Sequence, residues 1–376
     1  MKILIIMTGF FPGQKYGGPP VSVDNFCSLL HDNEYYIVTR NRDLGEKTEY
    51  KNINKSWNDR GNCKVLYLPD KNYTYKTYKK VINEISPDLI YLQGLFQNCI
   101  LPCLYLAKLF SIPVLLAPRG ELCKGAFKKK YKKLPYIYFA KFLRLFRNIS
   151  YQSTSPEETS AIKKYLGAKD DNIYLLTNIP KIVSNEFNYE FKKSGIAKIV
   201  FLSRIVPKKN LSFALEILRE VKGLVKFDIY GSLENQKYWN DCKKIISNLP
   251  TNVNVTFKGN VPHDRVPDIL SKYDVLLFPT LSENYGHVIL EALSVGCPII
   301  ISDQTPWNDI NKYKGGWAIK LSEKESYIHA IQTIIDNSDA DQIIIRNNAK
   351  DFFNKIINIT EIKKNYYNAL NRIIMK

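Results

Sequence analysis

Two glutamates, Glu283 and Glu291, close the stretch Ser282-Glu-Asn-Tyr-Gly-His-Val-Ile-Leu-Glu291, and their neighbours put both in one frame. Before them, Asp274-Val-Leu-Leu-Phe-Pro279 is a short apolar run with a proline stop, the pattern of a buried parallel strand. After them, Val288 to Val295 reads as a helix, with Gly296 just past its end and Pro298 beyond. Gly286 then falls at the helix N-terminus, where backbone N–H groups and the positive end of the helix dipole suit a phosphate. Glu283 lies in the loop ahead of that anion site. Glu291 lies in the second turn on the face of His287, while Ile289 and Leu293 can face the core. A nucleotide with its phosphates at Gly286 and His287 meets one carboxylate on each side.

Cations that suit the same chemistry stand in Phe201-Leu-Ser-Arg204-Ile-Val-Pro-Lys208-Lys209-Asn210. The run ends a strand and precedes an amphipathic helix that Asn210 is expected to cap and Gly223 to end. Departure of a nucleoside diphosphate leaves negative charge, and cations such as Arg204 and Lys209 fixed beside it lower the barrier. Surface ion pairing is the plain alternative for both, and Lys208 reads as a solvated neighbour. Nearer the start, Tyr16-Gly17-Gly18-Pro19-Pro20 offers either a close backbone approach to a phosphate or sugar, or only a tight turn. Pro118-Arg119-Gly120-Glu121 ends another strand, and Arg119 is expected to hold an acceptor phosphate or to sit in a salt bridge. The four histidines are His31, His263, His287 and His329, and none is assigned as a base. Asp339-Ala-Asp341 has the look of a metal-binding pair, but its polar setting makes it a helix start, so no metal ligand is assigned.

The elements that carry these residues alternate twice over. Candidate strands are Lys2–Met7, Tyr35–Thr39, Lys64–Leu68, Asp88–Leu92, Pro113–Ala117, Ile149–Ser153 and Ile173–Leu176. A second series follows at Ala197–Ser203, Lys226–Tyr230, Asn254–Lys258, Asp274–Phe278, Pro298–Ser302 and Gly316–Ile319. Strands separated by helices imply an α/β class with parallel, doubly wound sheets, and ligands then bind beyond the carboxyl ends of strands. The reading is one domain at 1–180, a polar, Asn-rich linker at 181–195 and a second domain at 196–355.

Length and a 45% hydrophobic content allow two sizeable cores. No run of 18 apolar residues is present, and Met1–Met7 reads as a strand rather than a signal peptide. Seven cysteines without short paired spacing argue against a disulfide framework or a zinc site and suit a reducing cytoplasm. Cys99 and Cys103 read as core. Most of the formal charge of +18 falls in residues 1–188. Lys124 to Arg147 alone holds nine basic residues, no acidic ones and seven aromatics, which suits an anionic membrane surface, a solvated face being the plain alternative. No recognition motif accompanies the cluster, so nucleic acid is not expected as a partner.

The spacing Glu283-x7-Glu291, with Gly286 three residues after the first, resembles the signature of retaining glycosyltransferases of the GT-B fold, family 4. The likeness continues through Gly296-Cys-Pro-Ile-Ile-Ile-Ser302-Asp303 and Thr305-Pro-Trp307, and is similar to the branch that builds bacterial surface polysaccharides such as lipopolysaccharide or capsule. It is strongest over 197–320. It implies two Rossmann-like domains facing a cleft, a helix in 356–376 that returns to the first domain, with Glu361 to Met375 as its candidate, and transfer of a sugar from a UDP- or GDP-linked donor to a lipid-linked or polysaccharide acceptor. Under it Glu283 holds the transferred sugar, Glu291 the ribose, and Arg204 and Lys209 the diphosphate. Gly17, Gly18, Asn284, Tyr285, Gly286, His287 and Val288 line the donor, and Asn260 and Val261 follow Gly259 where the base is contacted. Arg119 and Glu121 fall on the acceptor side, where many members carry a histidine that this chain lacks. No cofactor or metal is implied, and the expected location is cytoplasmic, at the inner face of the plasma membrane. The rivals are a carbohydrate- or polyanion-binding protein without turnover and a GT-B phosphorylase, for which no pyridoxal lysine motif is seen.

Overall fold

The structure, a computed structural model, describes the chain except residues 124–126, 128–129 and 182–188, with the backbone alone at Lys130 and Lys132. It divides into two compact units, Met1–Ile179 with Ile359–Lys376, and Pro180–Asn358. Of the linker expected at 181–195, residues 182–188 lie outside the described residues.

The first unit holds β1 (Lys2–Ile6), β2 (Glu34–Arg40), β3 (Asn58–Asp59), β4 (Lys64–Leu68), β5 (Leu89–Gln93), β6 (Val114–Ala117), β7 (Ser150–Ser153) and β8 (Ile173–Leu175). They form one sheet in the order β3-β4-β2-β1-β5-β6-β7-β8, parallel except for the short antiparallel β3. Side chains alternate across a strand, and β1 shows the result. Leu4 and Ile6 enter one core with Tyr78, Val81 and Leu104, while Ile3 and Ile5 enter the other with Phe26, Leu370 and Ile373. Both faces of β1 are therefore covered, which is why Ile3 to Ile6 read as an unbroken apolar run. The second core includes the helix Ile359–Ile374, whose Tyr366, Ala369, Leu370 and Ile373 are buried there. Tyr366 also donates its hydroxyl to the carbonyl of Thr177 at 2.8 Å.

The second unit holds β9 (Ile196–Leu202), β10 (Leu224–Tyr230), β11 (Val253–Gly259), β12 (Val275–Phe278), β13 (Ile299–Ser302) and β14 (Gly316–Ile319). The order is β11-β10-β9-β12-β13-β14, and every pair is parallel. The chain moves outward from β9 to one edge, then returns to place β12 on the other side of β9. The reversal makes a topological switch point between β9 and β12, where crossover loops diverge and leave room for a ligand at the carboxyl ends. Among the described residues no helix is long and apolar enough to cross a membrane.

Candidate functional site

The loops that leave β9 and β12 carry the residues singled out above, and hydrogen bonds stitch them together. Leu281 donates its N–H to the carbonyl of Lys208 at 2.9 Å, and the Thr280 hydroxyl donates to the same carbonyl at 3.2 Å. Asn210 does not cap its helix with its side chain. It stands at the N-cap in a left-handed conformation, φ 60°, and its amide donates to the carbonyl of Pro279 at 3.0 Å, making a third tie between the loops. Gly223 does not end that helix either, which stops at Ile217. On the β10 side, Gly231 has φ 143°, and a Cβ there would lie 1.8 Å from the carbonyl oxygen of Ser203, next to Arg204.

These ties bring Lys209 and Glu283 into a direct ion pair. Lys209 is buried, its ammonium 5.2 Å from the centre of the Phe278 ring. Burial lowers its pKa, and Glu283 only partly offsets that. Arg204 is more open and meets Glu234 at 3.1 Å, and Lys208 is exposed. Both cations are thus in ion pairs, but Lys209 is paired with the other member of the expected sugar and diphosphate set.

The helix after Glu283 runs His287–Ser294, with Gly286 at its N-cap in a left-handed conformation, φ 75°. A Cβ there would sit 2.9 Å from Ile289 Cδ1 and 3.0 Å from Glu283 Cγ, so only glycine brings the glutamate this close to the helix start. Among the described residues no side chain caps this end. The other end closes as a Schellman motif, with Cys297 N–H on the carbonyl of Ala292 at 2.8 Å and Gly296 N–H on Leu293 at 3.0 Å. Asn284 is exposed and Val288 half-buried, while the Tyr285 ring lies 4.9 Å from that of His287 and 5.5 Å from that of Trp307.

Glu291 is buried along with Ile289 and Leu293, and His263 Nε2 lies 2.6 Å from its Oε1. Burial alone would raise this carboxyl. The His263 hydrogen bond and charge, helped by His287 and Lys181, outweigh it and hold the pKa below the ordinary value. Sequence reasoning left His263 without a role. It stands in the turn His263–Arg265 after β11, at the far edge of the sheet, and the connection back to β12 carries it under Glu291. Nothing in its spacing signals that return. Asn260, exposed, and Val261, half-buried, precede it directly after β11.

In the first unit, Gly17 is the N-cap of the helix Gly18–Leu29 at φ 72°, with nothing within 4 Å of where a Cβ would be. Among the described residues Arg119 forms no salt bridge. Its guanidinium donates to Gln93 Oε1 at 2.7 Å, Asn178 Oδ1 at 2.5 Å and the Tyr91 hydroxyl at 3.3 Å, all neutral acceptors. The Glu121 carboxylate takes the N–H groups of Leu95 and Phe96 at 2.6 and 3.1 Å and so holds the loop after β5. Asp341 completes a capping box with Ser338, and Asp339 accepts the Lys192 N–H at 2.7 Å, so both aspartates serve helix and loop ends. The basic cluster falls partly outside the described residues, at Lys124, Lys128 and Lys129 and the side chains of Lys130 and Lys132. Of its aromatics Phe127 and Phe146 are buried, while Tyr131, Tyr138, Phe139 and Phe142 are exposed on the helix Lys130–Phe142.

Residues 184–351 match the family described as "Glycosyl transferases group 1". The chain is 25% identical over 316 residues to the "Uncharacterized glycosyltransferase MJ1178" of Methanocaldococcus jannaschii, spanning 79% of each. It is 27% identical over 168 residues to the Escherichia coli "UDP-Gal:alpha-D-GlcNAc-diphosphoundecaprenol alpha-1,3-galactosyltransferase", covering 43% of this chain and 41% of that one. The crystal structure of Anabaena Alr3699/HepE in complex with UDP and glucose superposes with a TM-score of 0.74 at 16% identity, covering 99% of this chain and 100% of that one. The fold is GT-B, two parallel-sheet α/β domains of Rossmann-like type.

Proposed function

We propose that the chain is a retaining glycosyltransferase of family 4, moving a sugar from a nucleotide-sugar donor to a lipid-linked or polysaccharide acceptor in surface-polysaccharide synthesis. The observation that carries this reading is the meeting of Lys209 and Glu283 at the switch point of the second sheet, beside a helix start kept open by Gly286. The match of residues 184–351 and the kinship with the E. coli galactosyltransferase support it.

In this reading the diphosphate lies against the N-terminus of the helix His287–Ser294. Lys209 and Arg204 turn from their glutamate partners to its oxygens, and Glu283, released from Lys209, accepts hydroxyls of the transferred sugar. Glu291 accepts the ribose hydroxyls, and Asn260 and Val261 border the base. As the glycosidic bond breaks, charge grows on the leaving phosphate, where fixed cations and helix N–H groups stabilise it most. Front-face attack, with a leaving phosphate oxygen taking the acceptor proton, fits a site in which no histidine base is assigned. Arg119, which among the described residues meets only neutral acceptors, is the group we assign to an acceptor phosphate.

The reading is metal-independent. It is tested by mass spectrometry of reactions with UDP- and GDP-sugars, before and after exhaustive chelation. Product and nucleoside diphosphate at unchanged rate are expected, whereas loss restored by Mg²⁺ or Mn²⁺ returns Asp339 and Asp341 to consideration. A binding protein without turnover releases no nucleoside diphosphate. We place the enzyme at the cytoplasmic face of the membrane on the strength of the exposed aromatics and basic residues of 124–147.

A further inference from the structure

We propose that His263 is a positioning residue for the donor nucleotide, its Nε2–H clamping Oε1 of Glu291 so that the buried carboxylate stands as a fixed acceptor for the ribose hydroxyls. This rests on the reading of Glu291 as the ribose ligand. The geometry is a 2.6 Å contact between side chains exposed by only 18% and 5%. An ionised carboxylate can only accept, so Nε2 must carry the proton. A neutral imidazole with its proton on Nε2 meets that requirement, and so does an imidazolium. Among the described residues nothing hydrogen-bonds Oε2 of Glu291.

The clamp matters because of where Glu291 lies. A buried carboxyl without a donor is driven towards its neutral form, and a neutral carboxyl offers an O–H where two ribose hydroxyls need acceptors. The other charged groups near it are weaker influences: His287 one turn earlier on the same helix, and Lys181 from the segment after β8. The helix Asp339–Ile356 also packs on this helix, but its Arg346 gives its guanidinium to the carbonyls of Ser271, Tyr273 and Val295. Asp268, on the short helix Val266–Leu270, is engaged with Arg265 and Lys272. His263 is therefore the group that decides the state of Glu291. It follows Asn260 and Val261 in one loop, so the segment read as bordering the base also sets the ribose acceptor.

The test measures binding of UDP and of GDP by calorimetry near pH 6 and near pH 8, for the wild type and His263→Ala, His263→Gln and Glu291→Gln, with thermal melts to show that each is folded. In His263→Ala the Glu291 pKa rises, so affinity should fall as pH is lowered from 8 to 6, by about tenfold against wild type at the acid end, the scale of one charged hydrogen bond. The wild type should stay nearly flat. His263→Gln restores a donor at the place of Nε2 and should return affinity towards wild type. Weakened binding by Glu291→Gln with His263→Ala unchanged at both pH values overturns the proposal. Equal losses for Ala and Gln with an unaltered pH slope also overturn it, since they mark a merely structural side chain. Unchanged binding by Glu291→Gln instead removes the ribose reading itself.

Discussion

Lys209 and Glu283 satisfy each other in a nearly buried pair, and a ligand that draws one away leaves the charge of the other behind. Removing one member of such a pair strands the remaining charge, which usually costs more than the pair contributes. A diphosphate that takes over Lys209 and a sugar that takes over Glu283 avoid that cost together, so the pair should separate only when the whole donor is present. Glu283→Gln should therefore lower turnover, whereas Glu291→Gln should act mainly on KM, because a ribose contact is present in ground and transition states alike. Steady-state kinetics in which both variants stay within about twofold of wild type remove the glutamates from the site. Arg204→Ala and Lys209→Ala should each lose about 10²-fold in turnover, the scale of one preorganised charge partner, and Lys208→Ala should do little. Equal losses at Lys208 and Lys209 contradict the assignment.

At the scale of elements, Gly231 and the start of the helix Asp339–Ile356 carry the clearest tests. Gly231→Ala forces a Cβ to within 1.8 Å of the Ser203 carbonyl in a conformation that suits glycine, so β9 and β10 must part beside Arg204. It should destabilise by about 1–3 kcal/mol or more in denaturant unfolding and lower activity with it. Ser338→Ala removes a capping box and should destabilise by about 1 kcal/mol near neutral pH. Asp341, its partner, has a pKa lowered by the Ser338 hydrogen bonds, so its share of stability is present above the ordinary value of 3.8 and is lost as pH falls through the lower folded value. Acid unfolding should accordingly show the difference between Ser338→Ala and wild type shrinking as pH drops below that range. Central strands such as β1, β5, β12 and β13 were legible as apolar runs covered on both faces, and β10 and β11 by their alternation of buried and more exposed residues. β3, two polar residues paired at an edge, has no such pattern. The glutamates were legible because their strand, glycine and helix are contiguous. The Glu291–His263 contact was not, since it is made by a connection that leaves the far edge of the sheet and returns.

For the molecule as a whole, the helix Lys130–Phe142 turns some of its side chains to solvent and packs others. Tyr131 is 71% and Phe142 82% exposed, whereas Lys133 lies 4.5 Å above the Phe96 ring and donates to the carbonyl of Glu121 at 3.0 Å. Replacing Tyr131, Tyr138, Phe139 and Phe142 by Ser should lower cosedimentation with anionic vesicles and leave nucleotide affinity intact, because these side chains sit on the first unit's surface. High salt should release much of the wild type, as screening shortens the reach of exposed charge to about 3 Å at 1 M. Unchanged cosedimentation in both tests makes the cluster a solvated face. Lys133→Gln, by contrast, should cost stability. Lastly, the helix Ile359–Ile374 fills the first unit's core from the far side of the second in chain order. During synthesis, the first unit's segment that ends at Ile179, Phe26 and Tyr91 included, is complete about 180 residues before Ile359 opens the helix whose Tyr366 and Leu370 pack on it. At about 5–20 residues per second an apolar face of the first unit waits some 10–35 s on the ribosome, so the second unit is the first that can finish folding, and nascent chains arrested before Ile359 should be the species that chaperones hold.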